Sequence, residues 1–184
     1  MDKSIYAPLL ESVEKPVEKE PVDLSERIEK CVLQMESLAY DRGITVSLDA
    51  PDDVFILSEK EYTERIVGGL IENALKYEPD GGTVRVALTE TRKKAVLSVQ
   101  NPGGVIDPAD LPHVFERFYR GDKARDLKSG HGLGLSIIKQ MADRLGAEIA
   151  VKSDPADGTV FTAVFDLAEQ RPSQLPHGKE KTDR

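Results

Sequence analysis

Two apolar periods alternate along residues 22–168, and their order restricts the fold more than any other property of this chain. Leu24, Ile28, Cys31, Val32, Met35, Leu38 and Ala39 recur at helical spacing. Asp23 with Glu26 opens that helix as an acidic variant of a capping box, and Gly43 can end it. ITVSL (44–48) and VFIL (54–57) read as strands with DAPDD turning between them. Ser58 with Glu61 makes a second capping box, and the helix it opens carries Ile66, Val67, Leu70, Ile71, Ala74 and Leu75. TVRVALTE (83–90) and KAVLSVQ (94–100) resemble a hairpin that bends near Thr91-Arg92-Lys93. After a long irregular stretch a helix is predicted over about 132–145, and AEIAVKS and TVFTAVFDL close the series around DPADG. Strands in hairpin-like pairs with helices between them predict an α+β fold. It is a two-layer α/β sandwich in which one mixed sheet is covered on one face by about three helices.

The flanks lack this patterning. KPVEKEPVD (15–23) is charged and proline-punctuated and reads as a linker; QRPSQLPHGKEKTDR (170–184) reads as a polar, disordered tail. A formal charge of −8 disfavours nucleic-acid binding, because an acidic chain gains nothing from phosphates of a duplex. The single cysteine, Cys31, excludes an internal disulfide and a cysteine-based zinc cluster; its place on an apolar helix face predicts a buried thiol. MDKSIYAPLLESVEK has no signal-peptide pattern, and no run approaches the ~20 apolar residues that span a bilayer. A cytoplasmic location without membrane contact in this chain follows as the expectation, including as the cytoplasmic part of a membrane-bound sensor.

Four segments carry residues suited to chemistry. In IVGGLIENALKYEPDGG (66–82), Asn73, Lys76 and Tyr77 share one side of a helix beside the apolar stripe. That side is either a solvated edge or a site where an amide oxygen completes a magnesium shell and an ammonium neutralises a phosphate. In SGHGLGLSIIKQM (129–141), Gly130, Gly132 and Gly134 alternate just before a helix, as a flexible cap or as a backbone that closes on an anion. The spacing is neither that of a P-loop nor that of a dinucleotide fingerprint. VQNPGG (99–104) is a strand end and a turn. LPHVFERFYRGD (111–122) gathers Phe115, Phe118 and Tyr119 inside an otherwise polar connection, which suits a lid that docks and undocks.

In this order and spacing the four segments resemble the ATP-binding catalytic domain of bacterial sensor histidine kinases, in the GHKL or Bergerat-fold ATPase superfamily. ENALKYEPDGG is similar to that family's N box, NPGG to its G1 box, FERFYRGD to its F box and GHGLGLSIIKQM to its G2 box. The resemblance spans about 22–167. It implies binding of Mg-ATP and transfer of the γ-phosphoryl group to a histidine on a separate dimerisation domain or subunit, with a response regulator downstream. Asn73 would hold magnesium, Lys76 the phosphates, and Arg120 the charge of transfer. Tyr77, Asn101, Gly103, Tyr119, Gly130, His131, Gly132, Leu133, Gly134 and Thr159 would complete the nucleotide site, with Asn101 reading the adenine amino group. Residues 1–21 would be a linker or the remnant of a dimerisation helix, 22–168 the ATP-binding domain and 169–184 a tail; the isolated domain would be a monomer.

The sequence departs from that pattern at four points. Asn101 stands in place of an aspartate, and exchanging a charge-assisted bond for a neutral one costs about 1 kcal/mol. Val105 replaces a second G1 glycine. Gly69 replaces the first N-box asparagine, and the Gly68-Gly69 pair lowers helix stability by about 1–2 kcal/mol. None of His113, His131 and His177 has the context of a phospho-acceptor, so the chain is not expected to phosphorylate itself. The alternative function is a degenerate nucleotide- or partner-binding module without kinase activity. A serine-directed or ATP-hydrolysing relative is disfavoured by the full FERFYRGD box.

Overall fold

The computed structural model describes residues 17–117, 119 and 134–169. Within them the order is β1 (Glu20–Asp23), α1 (Leu24–Asp41), β2 (Thr45–Asp49), β3 (Phe55–Ser58), α2 (Lys60–Tyr77), β4 (Thr83–Glu90) and β5 (Lys94–Asn101). A 3-10 turn (Leu111–His113) follows, then α3 (Gly134–Leu145), β6 (Glu148–Asp154) and β7 (Gly158–Asp166). Five strands form a mixed sheet in the order β2-β4-β5-β7-β6, with only the β2–β4 pair parallel. β1 and β3 form a separate antiparallel ribbon.

Period-2 alternation sets which face of the sheet is covered. Val84, Val86 and Leu88 of β4, Ala95, Leu97 and Val99 of β5, and Phe161, Ala163 and Phe165 of β7 are all buried. The register stacks them: Val86 lies opposite Val99, Val99 opposite Phe161, and Leu97 opposite Ala163. The alternate residues of β5 and β7 are only half-buried. The helices therefore cover one face, as the alternating periods predict. On α2 the buried stripe is Tyr62, Thr63, Ile66, Val67, Leu70, Ile71, Ala74 and Leu75. Each fully buried Leu, Ile or Phe contributes roughly 1.5–3 kcal/mol.

Three local expectations are revised. ITVSL and VFIL do not pair as a hairpin: β2 joins β4, and β3 turns away to β1, which is formed from the end of the proline-punctuated segment. Ser58 does not cap α2. Its Oγ is buried against Thr63 Oγ1 at 2.7 Å, and the carboxylate of Glu59 instead accepts from the N–H groups of Glu61 and Tyr62 at 3.0 and 2.8 Å. Only half of the first capping box forms: Asp23 accepts from the Glu26 N–H at 3.0 Å, whereas the Glu26 carboxylate pairs with Arg27.

α1 and α2 are also joined by charge. Buried Arg27 donates to Glu64 at 2.6 Å, and Lys30 reaches the same oxygen at 3.0 Å. Hydrogen bonds from Lys30 and Arg27 hold the Glu64 carboxyl below its ordinary range. Cys31, 3% exposed, lies beside them with its Sγ 3.7 Å from the Glu64 carbonyl oxygen. Burial, with the nearby Glu64 charge, pushes its thiol pKa to about 11.

Candidate nucleotide site

The inward-facing series of β5 does not end on an apolar residue. Ala95, Leu97 and Val99 are followed, two residues on, by Asn101, which is 1% exposed. Among the described residues, its Oδ1 is a buried side-chain oxygen with no hydrogen-bond partner. Leaving such an acceptor unpaired costs about 1–3 kcal/mol, so a ligand donor is the natural complement. Asn101 lies opposite Thr159 on β7.

The turn after Asn101 is framed closely. The Gly104 N–H returns to the Asn101 carbonyl at 3.2 Å. A Cβ on Gly104 would stand 2.0 Å from the Asn101 amide nitrogen. Gly158 has φ +73, and a Cβ there would meet the Asn101 carbonyl oxygen at 2.4 Å, so glycine is required on both counts. Thr159 Oγ1 donates to the Gly104 carbonyl at 2.9 Å. That uses its one proton, so Ser153 donates to Thr159 at 2.8 Å while accepting from the Ile106 N–H at 2.8 Å.

Asn73 and Lys76 lie beside the buried stripe of α2, both half-buried, and Tyr77 is 38% exposed. The Lys76 ammonium sits 5.5 Å from the Tyr77 ring centroid. Arg42, at the end of α1, ties down the C-terminus of α2. It donates to the carbonyls of Leu75 and, at 2.8 Å, Glu78, and to Asp80 Oδ1 at 2.8 Å. Glu78 is buried, and its carboxylate accepts from the Gly103 N–H at 2.9 Å and the Thr83 N–H at 3.3 Å. Gly103 is itself exposed; a Cβ there would meet Pro79 Cδ at 2.5 Å.

The stretch after the turn is anchored to the sheet by Phe115, whose ring meets Phe161 edge-on at 6.2 Å. The Tyr119 hydroxyl donates to Asp110, and its ring lies 5.3 Å from that of His113. Arg117 donates to Gln140 of α3 at 2.9 Å. Gly134 opens α3 with open space around it. Arg120, Gly130, His131, Gly132 and Leu133 lie outside the described residues. Gly69 faces α3: a Cβ there would stand 2.5 Å from Ile138 Cδ1, so the missing side chain is replaced by close helix packing.

Residues 59–169 match the family described as Histidine kinase-, DNA gyrase B-, and HSP90-like ATPase. The chain belongs to this family. Two of the curated relatives that the chain matches are sensor proteins. The phosphate regulon sensor protein PhoR of Pseudomonas aeruginosa is 32% identical over 176 residues, which cover 95% of this chain and 39% of that protein. Sensor histidine kinase YkoH of Bacillus subtilis is 36% identical over 137 residues, covering 74% and 30%. The chain thus spans well under half the length of these two relatives. Among solved structures, the mycobacterial sensor histidine kinase MprB matches with a TM-score of 0.73 at 29% identity, over 80% of this chain and 98% of that one. Full-length ShkA in complex with AMPPNP matches with a TM-score of 0.75 at 21% identity, over 89% of this chain and 34% of that one, a likeness of fold. Among the described residues no helix is long and apolar enough to cross a membrane.

Sequence reading singled out the Asn73 side of α2 and the turn after β5 but not Glu78, Arg42 or Ser153, which the structure packs around them. The available signal for Glu78 was a carboxylate directly before PDGG, where backbone N–H groups crowd together. Arg42 directly before Gly43 was a second, since a cation at a helix end can serve a neighbouring C-terminus.

Proposed function

We propose that the stretch from β1 to residue 168 forms the ATP-binding domain of a sensor histidine kinase, working in the cytoplasm, with a linker or dimerisation-helix remnant before β1. It binds Mg-ATP between α2 and the turn after β5 and transfers the γ-phosphoryl group to a histidine on a separate dimerisation domain or subunit. A response regulator then takes the group onward. The observation that carries this reading is the buried, unpaired Oδ1 of Asn101 at the inward end of β5. It is an acceptor matched to an exocyclic amino group, and Gly104 and Gly158 let the backbone close tightly around the Asn101 amide nitrogen and carbonyl. ShkA, a protein of this fold, was solved in complex with AMPPNP, which supports a nucleotide of the ATP type as the ligand.

In this reading Asn101 accepts from the base and Tyr77 borders the nucleoside. Lys76 neutralises phosphate oxygens, and the Asn73 amide oxygen supplies the protein's ligand to magnesium. Among the described residues no three His, Cys, Asp or Glu side chains gather as a metal cluster. That donor set suits an ion held mainly by phosphate and water oxygens. Magnesium, when bound, offsets charge on the phosphate chain. Arg120, Tyr119 and the 130–134 glycines are assigned by the motifs they occupy. Phosphoryl transfer depends mostly on positioning and charge stabilisation, and the acceptor histidine is the nucleophile. His113 is not assigned that role, because it lies in the stretch after the G1-like turn and lacks the sequence context of a phospho-acceptor.

One observation favours a second reading, nucleotide binding without transfer. Gly69 offers no ligand where the motif has an asparagine, and Ile138 packs against it. The two separate in one experiment. The domain is mixed with a histidine-bearing dimerisation hairpin from a related kinase and γ-labelled ATP. Acid-labile phosphohistidine on the hairpin is the expected result; bound nucleotide with no labelled hairpin supports the second reading.

A further inference from the structure

Glu78 reads in the sequence as one letter of a turn, yet it is 4% exposed. Among the described residues its carboxylate meets no cation, because the Arg42 guanidinium is spent on backbone carbonyls and Asp80. Both oxygens are occupied by backbone N–H groups from two separate segments. Oε2 takes Gly103, in the turn after β5, and Oε1 takes Thr83, at the start of β4. Two glycines make room for this side chain. A Cβ on Gly82 would lie 2.2 Å from Oε1, and one on Gly103 2.9 Å from it. Burying a carboxylate is costly, and what offsets the cost here is charge-assisted bonding to the backbone.

The geometry points to Glu78 as a positioning residue for base recognition. Its backbone ends α2, which carries Asn73 and Lys76, and its side chain holds the turn that begins at Asn101. Arg42 fixes the same helix end through the Glu78 carbonyl. The residues assigned to the phosphates and the amide assigned to the base are thereby held at one separation, through a single side chain that touches neither. This inference rests on the proposed nucleotide site, and its test separates the two.

Calorimetric titration compares a non-hydrolysable ATP analogue with the matching purine riboside triphosphate, which lacks the 6-amino group. The proteins are the wild-type chain, Glu78→Ala and Glu78→Gln. The wild type is expected to prefer the adenine nucleotide about tenfold. Glu78→Ala should lose most of that preference and bind the adenine nucleotide about tenfold more weakly, with the deaminated analogue changed less than about threefold. Glu78→Gln, which keeps an acceptor for Gly103, should retain most of the preference. A Glu78→Ala protein that discriminates as well as wild type, or weakens for both nucleotides equally, overturns the role of Glu78 while leaving the site in place. A wild type that binds neither nucleotide removes the site as well. Amide hydrogen exchange on the unmodified protein tests the same contact without a variant that must fold. Gly103 should be protected in the free protein, and exchange at the open-chain rate overturns the proposal.

Discussion

Two polar clusters meet the core of this molecule, one around buried Arg27 and one around buried Asn101, and they differ in how completely they are satisfied. Between α1 and α2, Arg27, Lys30 and Glu64 answer one another's charges, and the cluster closes on itself. At the end of β5, Glu78, Ser153 and Thr159 bond the backbone around Asn101 and leave its Oδ1 with nothing. The first arrangement joins two helices. The second is a rigid frame with one open valence, which is what a binding site looks like before its ligand arrives. The contrast gives a rule for this chain: changes in the first cluster should lower stability and not affinity, and changes at the open oxygen should lower affinity without lowering stability.

The largest break in the frame is expected at Gly158. Valine there must adopt positive φ and would press on the backbone of Asn101 and Pro102 at about 2.5 Å. Gly158→Val should cost about 3 kcal/mol in denaturant unfolding and abolish nucleotide binding in the fraction that folds. A variant of wild-type stability would mean that the turn is looser than described.

Glu64 tests the closed cluster. Glu64→Ala leaves Arg27 buried with only Glu26 as its carboxylate partner and should lower stability by about 2 kcal/mol with no change in nucleotide affinity. The pH dependence has a definite sign. The folded-state pKa of Glu64 is depressed, chiefly by Lys30 and then Arg27, so its contribution is complete above its ordinary value of about 4.3. It is lost as pH falls through the lower folded value. Glu64→Gln should therefore flatten the acid limb of the stability profile; an unchanged limb would place the sensitivity elsewhere.

The neighbouring glycines of α2 give the smallest effect. A Cβ on Gly68 would lie 3.7 Å from Cys31 Sγ, an ordinary contact, whereas one on Gly69 would collide with Ile138. Gly68→Ala should stabilise the protein by about 0.5–1 kcal/mol through helix propensity alone. Gly69→Ala should gain less or lose, and equal gains in thermal unfolding would show that Ile138 yields freely. In both variants and in the wild type, the thiol of Cys31 should react with alkylating agents only through unfolding, given its burial and a pKa of about 11.

Much of this could be read from residue order, because the two apolar periods are local. The hairpin over 83–101, the buried stripe of α2 and the inward series of β5 depend on neighbours in sequence. The partner of β2 does not. Alternation tells which side of a strand faces the core but not which strand lies beside it, so β3 could be paired with β2 on paper and with β1 in space. The cap of α2 moved by one residue for a related reason: Ser58 found a buried partner in Thr63, which freed Glu59 for the helix end. At the proposed site, Asn73 and Lys76 stand out as polar residues beside an apolar stripe, whereas Asn101 reads alone as part of a turn and takes a role only from the family resemblance. Glu78, Arg42 and Ser153 were not legible, since each acts on a backbone group between 25 and 47 residues distant, and no periodicity encodes such a contact. Gly69 reads in the sequence either as a lost ligand or as a place where another segment packs closely, and the Ile138 side chain against it supports the packing.

The open oxygen of Asn101 can be tested with one substitution measured two ways. Leucine has nearly the same size and carries no acceptor. Asn101→Leu should raise the unfolding free energy by about 1 kcal/mol, because an unpaired polar group is removed. It should also weaken calorimetric binding of a non-hydrolysable ATP analogue with magnesium by about ten- to thirtyfold. Affinity equal to wild type in a folded Asn101→Leu protein would contradict the account, since the oxygen would then be waiting for nothing that the nucleotide provides.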